Sequence, residues 1–165
     1  ISVDYGLNVA WMKFYCGGFN DTYKLQTTDD MTYYFRVYRP VWRSLNDIRY
    51  ELDALNHLER KGFPAIRILH RKDGEQLSSF NAPEGTRYGI LSTEAKGKEI
   101  SYEDDVAGTS YIYGRHEAML HVAMEDFSTE YVRRPLDTHF LTQSVLENAE
   151  PFLSHRSDDW TYLQS

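Results

Sequence analysis

The spacing of hydrophobic and polar residues changes character between positions 33 and 64, where the sequence is YYFRVYRPVWRSLNDIRYELDALNHLERKGFP. In its first part, Tyr33, Phe35 and Val37 alternate with a second set of side chains that includes Arg36. A period of two is typical of a strand with one buried face. The pattern therefore predicts a strand that directs Arg36 to the face opposite the apolar set.

The second part of this stretch predicts one helix with clear boundaries. Ser44, followed three residues later by Asp47, forms a capping box, and Gly62 with Pro64 forms a stop signal. Between these boundaries, apolar residues recur at helical spacing and define one buried stripe. They are Ile48, Leu52, Leu55 and Leu58.

Glu51 interrupts the apolar stripe of this helix. It lies three residues after Ile48 and four before Leu55, so it points toward the face that should be buried. A carboxylate in that position is unfavourable unless a cation meets it. The nearest candidate in the preceding strand is Arg36, which predicts an inward ion pair between strand and helix. The alternative is that Glu51 lies at the edge of the stripe and reaches water.

Four more segments predict strands. Two precede the stretch above, one around residues 11–14 and one at Tyr23–Gln26, and two follow it, at Ala65–Leu69 and Thr86–Glu94. An Asp-Gly turn at 72–75 separates the last two. The expected fold of residues 1–95 is therefore α+β: a five-stranded antiparallel sheet with one packed helix.

The composition changes after residue 95. Residues 96–112 are polar and glycine-containing and are expected to form a linker, whereas residues 113–165 show a helical period. A second helix is expected from Leu136 to about Glu150, closed by Pro151, and a third near Asp158. The predicted inward face of the first helix in this segment comprises Tyr113, His116, Leu120, Ala123 and Phe127.

Gly17 and Gly18 stand between the first two predicted strands. A glycine pair there permits positive φ and lets the backbone approach a ligand closely. A Gly-Gly hairpin can equally be only a turn, and the local pattern leaves both interpretations open.

The net charge and the composition of the chain argue against several classes of function. The 165 residues carry a formal net charge of −7, which argues against binding nucleic acid through phosphate contacts. No apolar run is long enough to span a membrane, so no membrane partner is expected. The single cysteine, Cys16, cannot form an internal disulfide, which favours a reducing, cytoplasmic location.

The sequence His116-Glu117 followed by His121 does not qualify as a zinc-protease motif. That motif needs its two histidines four residues apart on one helical face, and these are five apart. We therefore expect no metal site formed by these residues.

Several segments together resemble one family, the aminoglycoside phosphotransferase and choline kinase group of small-molecule kinases. The main segments are GGFNDTY at 17–23, YYFRVYRP at 33–40, ELDALNHLERKGFP at 51–64 and GTRYGILSTEAKG at 85–97, and the resemblance extends to YGRHEAMLH at 113–121. It implies that residues 1–95 form a kinase-like amino-terminal lobe. Residues 96–112 would then be the hinge and linker, and residues 113–165 the helical start of a second lobe.

The resemblance also implies a nucleotide site for ATP. The glycine hairpin would cover the phosphates, Arg36 would contact them with Glu51 as its partner, and the backbone of residues 94–95 would meet the adenine edge. The implied nucleotide-binding residues are Gly17, Gly18, Asn20, Arg36, Glu51, Glu94 and Ala95.

Two departures from the family pattern qualify this expectation. The position of Arg36 is often lysine in the family, and arginine presents a planar fork rather than a point charge. The family's His-Gly-Asp catalytic loop and its later metal-binding Asp do not occur in these 165 residues, so Mg²⁺ would be held only with a further lobe.

Three hypotheses on function follow. In the first, the chain is the nucleotide-binding part of an ATP-dependent kinase of small-molecule hydroxyls and is a fragment, which the start at Ile1 without methionine favours. In the second, it is a short non-catalytic module that binds nucleotide or a protein partner, for instance as a homodimer. In the third, it is an α+β domain whose likeness to kinases is accidental. A fragment would leave apolar surface uncovered and tend to self-associate.

Overall fold

The computed structural model describes residues 1–40, 42–97, 100–101 and 105–165. Part of the predicted linker, residues 98–99 and 102–104, thus lies outside the described residues. The structure divides into two compact units, Ile1–Val132 and Arg133–Ser165. The first unit contains α1 (Ser2–Tyr5), β1 (Val9–Cys16), β2 (Asn20–Thr27), β3 (Thr32–Tyr38), α2 (Leu45–Arg60), β4 (Leu77–Ala82), β5 (Gly85–Thr93) and α3 (Val106–Met124). The second contains a π-helical turn (His139–Gln143), α4 (Ser144–Leu153) and α5 (Ser157–Gln164).

The five strands form one antiparallel sheet in the order β1-β2-β3-β5-β4, with α2 packed on it. This confirms the predicted α+β class and the strand count. One strand was assigned to the wrong segment, because the fourth strand is Leu77–Ala82 and not Ala65–Leu69. In the earlier segment only Ile68 forms a bridge, to Ser92.

Competition for the edge of β5 explains this difference. β4 pairs with β5 from Leu77 opposite Ile90 to Ala82 opposite Gly85. The segment around Ile68 takes only what remains of the same edge, with the Leu69 N–H donating to the Leu91 carbonyl at 2.8 Å. About three free residues of edge are too few for a regular strand.

The hydrophobic core lies on both faces of the sheet, and alternate residues along the strands belong to its two clusters. On one face, Tyr5 of α1 closes over a buried cluster with Leu25, Phe35, Val37 and Leu91. On the other, α2 packs onto the sheet through a second buried cluster, formed by Tyr38, Ile48, Leu52, Ile68 and Ile90.

The predicted capping box fixes the start of α2. The Ser44 side chain accepts a hydrogen bond from the Asp47 N–H at 3.1 Å, and the Asp47 carboxylate accepts one from the Ser44 N–H at 2.9 Å. The helix ends at Arg60, and Gly62 follows in the left-handed conformation with φ of 69°. The caps set the limits of α2, and the packing of Ile48 and Leu52 on the sheet sets its rotation and so the direction of Glu51.

The helix α3 differs from the expectation in where it begins and in how exposed it is. It begins at Val106, within the range assigned to the linker. None of its residues is buried, and Tyr113, on its predicted inward face, is 67% exposed. Contact with α2 occurs at its carboxyl end, where His57 Nε2 lies 2.8 Å from the Ala123 carbonyl oxygen. The ring of Phe127 packs edge-on against His57.

The second unit contains the expected helices with a changed boundary. A π-helical turn precedes α4, and Pro151 lies inside α4 rather than closing it. A proline in the final turn of a helix removes only one intrahelical hydrogen bond, so the helix can continue to Leu153. The short α5 confirms the helix predicted near Asp158. Among the described residues, no helix has the length and apolar character that a membrane crossing requires.

Replacing Ile48 by alanine should test the core between α2 and the sheet. Its side chain is fully buried, so Ile48→Ala should lower the free energy of unfolding by about 2–5 kcal/mol through lost burial and a residual cavity. The measurement is urea denaturation followed by circular dichroism.

The matched control is Ile112→Ala on α3, where the isoleucine is 57% exposed. That variant should change the free energy of unfolding by less than about 0.5 kcal/mol. Equal losses in the two variants would contradict the described position of the core.

Candidate nucleotide site

An ion pair joins the sheet to α2. The Nη2 atom of Arg36, on β3, donates to Oε1 of Glu51, on α2. Their side chains are 28% and 21% exposed, so both are largely withdrawn from water. The predicted pairing is confirmed, and the alternative, in which Glu51 turns away to water, is not the observed conformation.

Tyr38 is a third member of this cluster that the sequence interpretation did not single out. Its hydroxyl oxygen accepts a hydrogen bond from Arg36 Nη2 at 3.1 Å, and the guanidinium carbon lies 5.2 Å from the centre of its ring. Burial raises the pKa of Tyr38, so the phenol stays neutral. Its spacing of two from Arg36, on the same strand face, is the signal that could have identified it.

Arg36 borders a cavity of about 540 Å³. Part of its wall is the segment that follows β5, which was predicted to contact adenine. Tyr15 and Tyr34 also line the cavity and pack edge-to-face with ring centres 5.3 Å apart. The full lining is Tyr15, Thr22, Tyr34, Arg36, Ile66, Ser92, Thr93, Glu94, Ala95, Lys96 and Gly97.

The residues predicted to form the hinge lie where the sheet ends. The last pair between β3 and β5 joins Tyr33 to Thr93, so Glu94 and Ala95 lie just beyond the ladder and border the cavity. The Glu94 carboxylate accepts hydrogen bonds from the Lys24 ammonium and the Tyr34 hydroxyl, each at 3.3 Å. These contacts tie the Glu94 side chain to the sheet.

Arg36 has hydrogen-bonding capacity that the described residues do not use. The Nε atom of Arg36 is buried and has no partner among the described residues. A guanidinium carries five N–H donors, and those on Nη2 already serve Glu51 and Tyr38. Arg36 is therefore held in place and has N–H donors that these two contacts do not use.

The glycine hairpin lies apart from this cavity. Gly18 borders a second cavity, of about 590 Å³, together with Phe19 and Trp42. Neither Gly17 nor Gly18 adopts a positive φ, so their backbone does not require glycine. A Cβ on Gly17 would meet the Phe14 ring at 3.3 Å, whereas the space beside Gly18 is open.

The other predicted site residues occupy different positions. Asn20 begins β2, pairs with Tyr38, and has a buried Oδ1 atom without a partner among the described residues. Glu51 does not border the first cavity and reaches it only through Arg36. The structure thus brings together Arg36, Glu94 and Ala95 around one cavity and leaves the hairpin glycines outside it.

Asp21 anchors the base of the glycine hairpin, a role that sequence reasoning missed. Its carboxylate accepts a hydrogen bond from Arg87 Nη2 at 2.6 Å and one from Arg39 Nη2 at 3.4 Å. The bond from Arg87, supported by Arg39, lowers the pKa of Asp21. Because Arg87 lies 66 residues away on β5, no local pattern could have revealed this contact.

Two further arginines lie close to Arg36 in the sequence, but the three do not form one cluster. Arg39 pairs with Asp21 beside the second cavity, and Arg43 lies over the Trp42 ring at 5.4 Å. Only Arg36 borders the first cavity. No group of three or more His, Cys, Asp or Glu side chains within the described residues is placed to hold a metal ion.

This fold and this arrangement of a cation, its acidic partner and the segment after the last strand define the amino-terminal lobe of a kinase-like phosphotransferase. Residues 15–101, more than half of the chain, match the phosphotransferase enzyme family named APH. The chain belongs to that family.

Two relatives are similar over nearly the whole chain. A Synechocystis protein without assigned function is 32% identical over 151 residues, covering 92% of this chain and 41% of that protein. A Deinococcus radiodurans protein, also without assigned function, is 30% identical over 158 residues, covering 96% of this chain and 45% of that protein. The chain thus spans less than half the length of either relative.

Solved structures show the same fold. An amicoumacin kinase, determined with AMP-PNP, Ca²⁺ and Ami, superposes with a TM-score of 0.75 at 15% identity, over 94% of this chain and 50% of that one. A microcompartment-associated aminopropanol kinase gives a TM-score of 0.66 at 16% identity, over 93% of this chain and 53% of that one. Both are small-molecule kinases, and at this identity the likeness establishes the fold.

Asp21→Asn should remove a pH-dependent part of the stability. Because the folded pKa of Asp21 is lowered, its ionised form stabilises the fold above the ordinary aspartate pKa of about 3.9, and this contribution is lost as the pH falls through the lower folded value. The wild-type chain should therefore exceed Asp21→Asn in free energy of unfolding at pH 7, by a margin that narrows in acid.

The measurement is urea denaturation at several pH values between neutrality and acid. Asp158→Asn, in the first turn of α5, serves as a control on a carboxylate of the second unit. A difference between wild type and Asp21→Asn that stays constant across this range would contradict the ion pairing described for Asp21.

Proposed function

We propose that this chain is the nucleotide-binding part of an ATP-dependent phosphotransferase acting on the hydroxyl group of a small molecule. The observation that carries the proposal is Arg36 at the wall of the first cavity, held by its ion pair with Glu51 and next to the segment after β5. Membership in the phosphotransferase family and the two kinase structures support it.

Each part of the cavity suits one part of ATP. The backbone of Glu94 and Ala95, just past the β5 ladder, would hydrogen-bond the adenine edge. Tyr34 and Ile66 would supply apolar contacts to the base. Arg36 would bind the phosphates through the N–H groups that Glu51 and Tyr38 leave available, because charge-assisted bonds to oxyanions are the stronger kind.

The role of Glu51 is to position Arg36 rather than to touch the nucleotide. Its carboxylate holds one end of the guanidinium, which reduces the side-chain freedom that binding would otherwise remove. Tyr38 constrains the same end through its neutral hydroxyl. The pair would thus present a preorganised cation to the phosphates.

A divalent metal ion does not fit the residues described here, because they include no suitable carboxylate cluster. Phosphoryl transfer in kinases depends on such ions and on a group that receives the proton of the acceptor hydroxyl. Neither the His-Gly-Asp run nor the later Asp motif occurs in the sequence. Under this proposal, nucleotide binding is the contribution of these residues, and the acceptor site and the transfer chemistry come from outside them.

Arg36→Ala should weaken ATP binding selectively. The loss of hydrogen bonds from a charged donor corresponds to roughly a ten- to hundredfold rise in the dissociation constant. Adenosine lacks phosphates, so its affinity should change little. Glu51→Gln keeps a hydrogen-bond acceptor for Arg36 but removes the charge, and should weaken ATP binding by a smaller factor. Isothermal titration with ATP and with adenosine gives both constants.

The matched control is Arg71→Ala. Arg71 is similarly buried, with a side chain 24% exposed, and forms an ion pair with Asp73 at 2.8 Å, but it does not border the cavity. This variant should bind ATP as the wild type does. Equal ATP affinity in Arg36→Ala and wild type would contradict the assigned site, and so would an equal loss in Arg71→Ala.

The chain alone should transfer no phosphate from ATP to an alcohol. The reason is that the base and the metal-binding Asp of the family are not among its residues. Incubation with γ-labelled ATP, Mg²⁺ and a panel of amino alcohols and aminoglycosides is the measurement. ATP-dependent phosphorylation by this chain would show that the division of roles proposed here is wrong.

A further inference from the structure

The face of α2 that points away from the sheet is bound by a later segment of the chain. This segment, residues 123–131, comprises the end of α3 and the loop that follows it, and we call it the strap. The residues of α2 and its carboxyl-terminal cap that contact the strap share one side of the helix. They are Arg49, Tyr50, Asp53, His57 and Lys61. The helix therefore lies between the sheet and the strap.

Directional hydrogen bonds form part of this contact. The Thr129 hydroxyl donates to the Asp53 carboxylate. His57 Nε2 donates to the Ala123 carbonyl oxygen at 2.8 Å, since a carbonyl oxygen can only accept. Hydrogen bonds weaken steeply as their distance and angle change. These two bonds therefore fix the position of α2 along its axis as well as about it.

Phe127 packs against two rings of α2. Its ring centre lies 5.5 Å from that of Tyr50 and 5.4 Å from that of His57, both in edge-to-face arrangements. His57 is only 8% exposed, although its position in the helix is opposite Ile48 and the apolar stripe. The strap thus covers the side of α2 that the sequence pattern assigns to water.

Packing on the sheet sets the rotation of α2 but leaves the helix able to slide. Ile48 and Leu52 hold it through apolar contacts, which are non-directional. Packed helices shift by about 1–2 Å in conformational transitions, and a shift of that size is enough to break a hydrogen bond. The bond between Glu51 and Arg36 therefore needs a second restraint on α2.

We propose that the strap is a positioning element of the nucleotide site: Phe127 and Thr129 hold α2 where Glu51 reaches Arg36, which keeps the guanidinium oriented for the phosphates. This inference rests on the proposed function of the first cavity. Neither Phe127 nor Thr129 borders that cavity, so their effect passes through α2. Because the strap begins at the end of α3, it also connects the helix after the linker to the nucleotide site.

The first test observes Arg36 in the absence of nucleotide. Its Nε–H signal in a nitrogen–proton correlation spectrum is assigned by its absence in Arg36→Ala. Phe127→Ala and Thr129→Val should each move this signal toward the position that it has in Glu51→Ala, because α2 is then free to shift. Thr129→Ser keeps the hydroxyl that binds Asp53 and should keep the wild-type signal.

The matched controls remove the same groups from the second unit. Phe152→Ala deletes a phenyl ring that is 74% exposed in α4. Thr142→Val deletes a hydroxyl that donates to the Thr138 carbonyl oxygen at 2.7 Å. Neither control should move the Arg36 signal.

The second test compares two ligands by isothermal titration. Phe127→Ala and Thr129→Val should each weaken ATP binding by roughly two- to tenfold, the range expected for loss of one such contact. Adenosine binding should stay as in the wild type, because adenosine has no phosphates for Arg36 to bind. In a Glu51→Ala background the same two changes should cost no further ATP affinity, since they act only through that carboxylate.

The outcomes separate this inference from the proposed function. An Arg36 signal that stays in place in both strap variants would overturn the positioning role. Equal losses for ATP and adenosine, or losses that persist in Glu51→Ala, would show a general structural effect and would also overturn it. A wild-type chain that binds no ATP would overturn the proposed function, and the Arg36 signal would still decide whether the strap positions Glu51.

Discussion

The ion pair between Arg36 and Glu51 is the interaction on which the candidate site depends, and it sets demands on the surrounding structure. Two partly buried charges are tolerated only when each meets the other with good geometry. The geometry requires β3 to direct Arg36 toward α2, and α2 to start in one rotational setting. The capping box at Ser44 and Asp47 and the apolar stripe beginning at Ile48 supply that setting.

This arrangement also explains how a positive charge stays available at the first cavity although the protein as a whole is acidic. The net charge of −7 is spread over the chain, and yet Arg36 keeps N–H donors that Glu51 and Tyr38 do not occupy. Other arginines of the same region are engaged elsewhere, with Arg39 and Arg87 both bound to Asp21. Which arginine side chains are engaged in ion pairs, rather than the net charge of the protein, decides where an anionic ligand can bind.

The sheet therefore serves two separate purposes on its two sides. The pleat that sends Arg36 and Tyr38 toward α2 sends Val37 and Asp21 to the opposite face. The hairpin base, anchored through Asp21, is thus stabilised by contacts that do not compete with the cation pair.

The sequence by itself determined the features that depend on neighbours along the chain. Alternation in β3 set the face of Arg36, the capping box set the limits of α2, and the break in its stripe predicted the partner Glu51. The tertiary structure decided what depends on distant segments: that Leu77–Ala82 takes most of the β5 edge, that Asp21 meets Arg87, and that Gly18 borders a different cavity. The physical reason is that periodicity encodes which way a side chain faces, whereas the identity of the group it meets follows only from how separate strands and loops compete for the same edge and space.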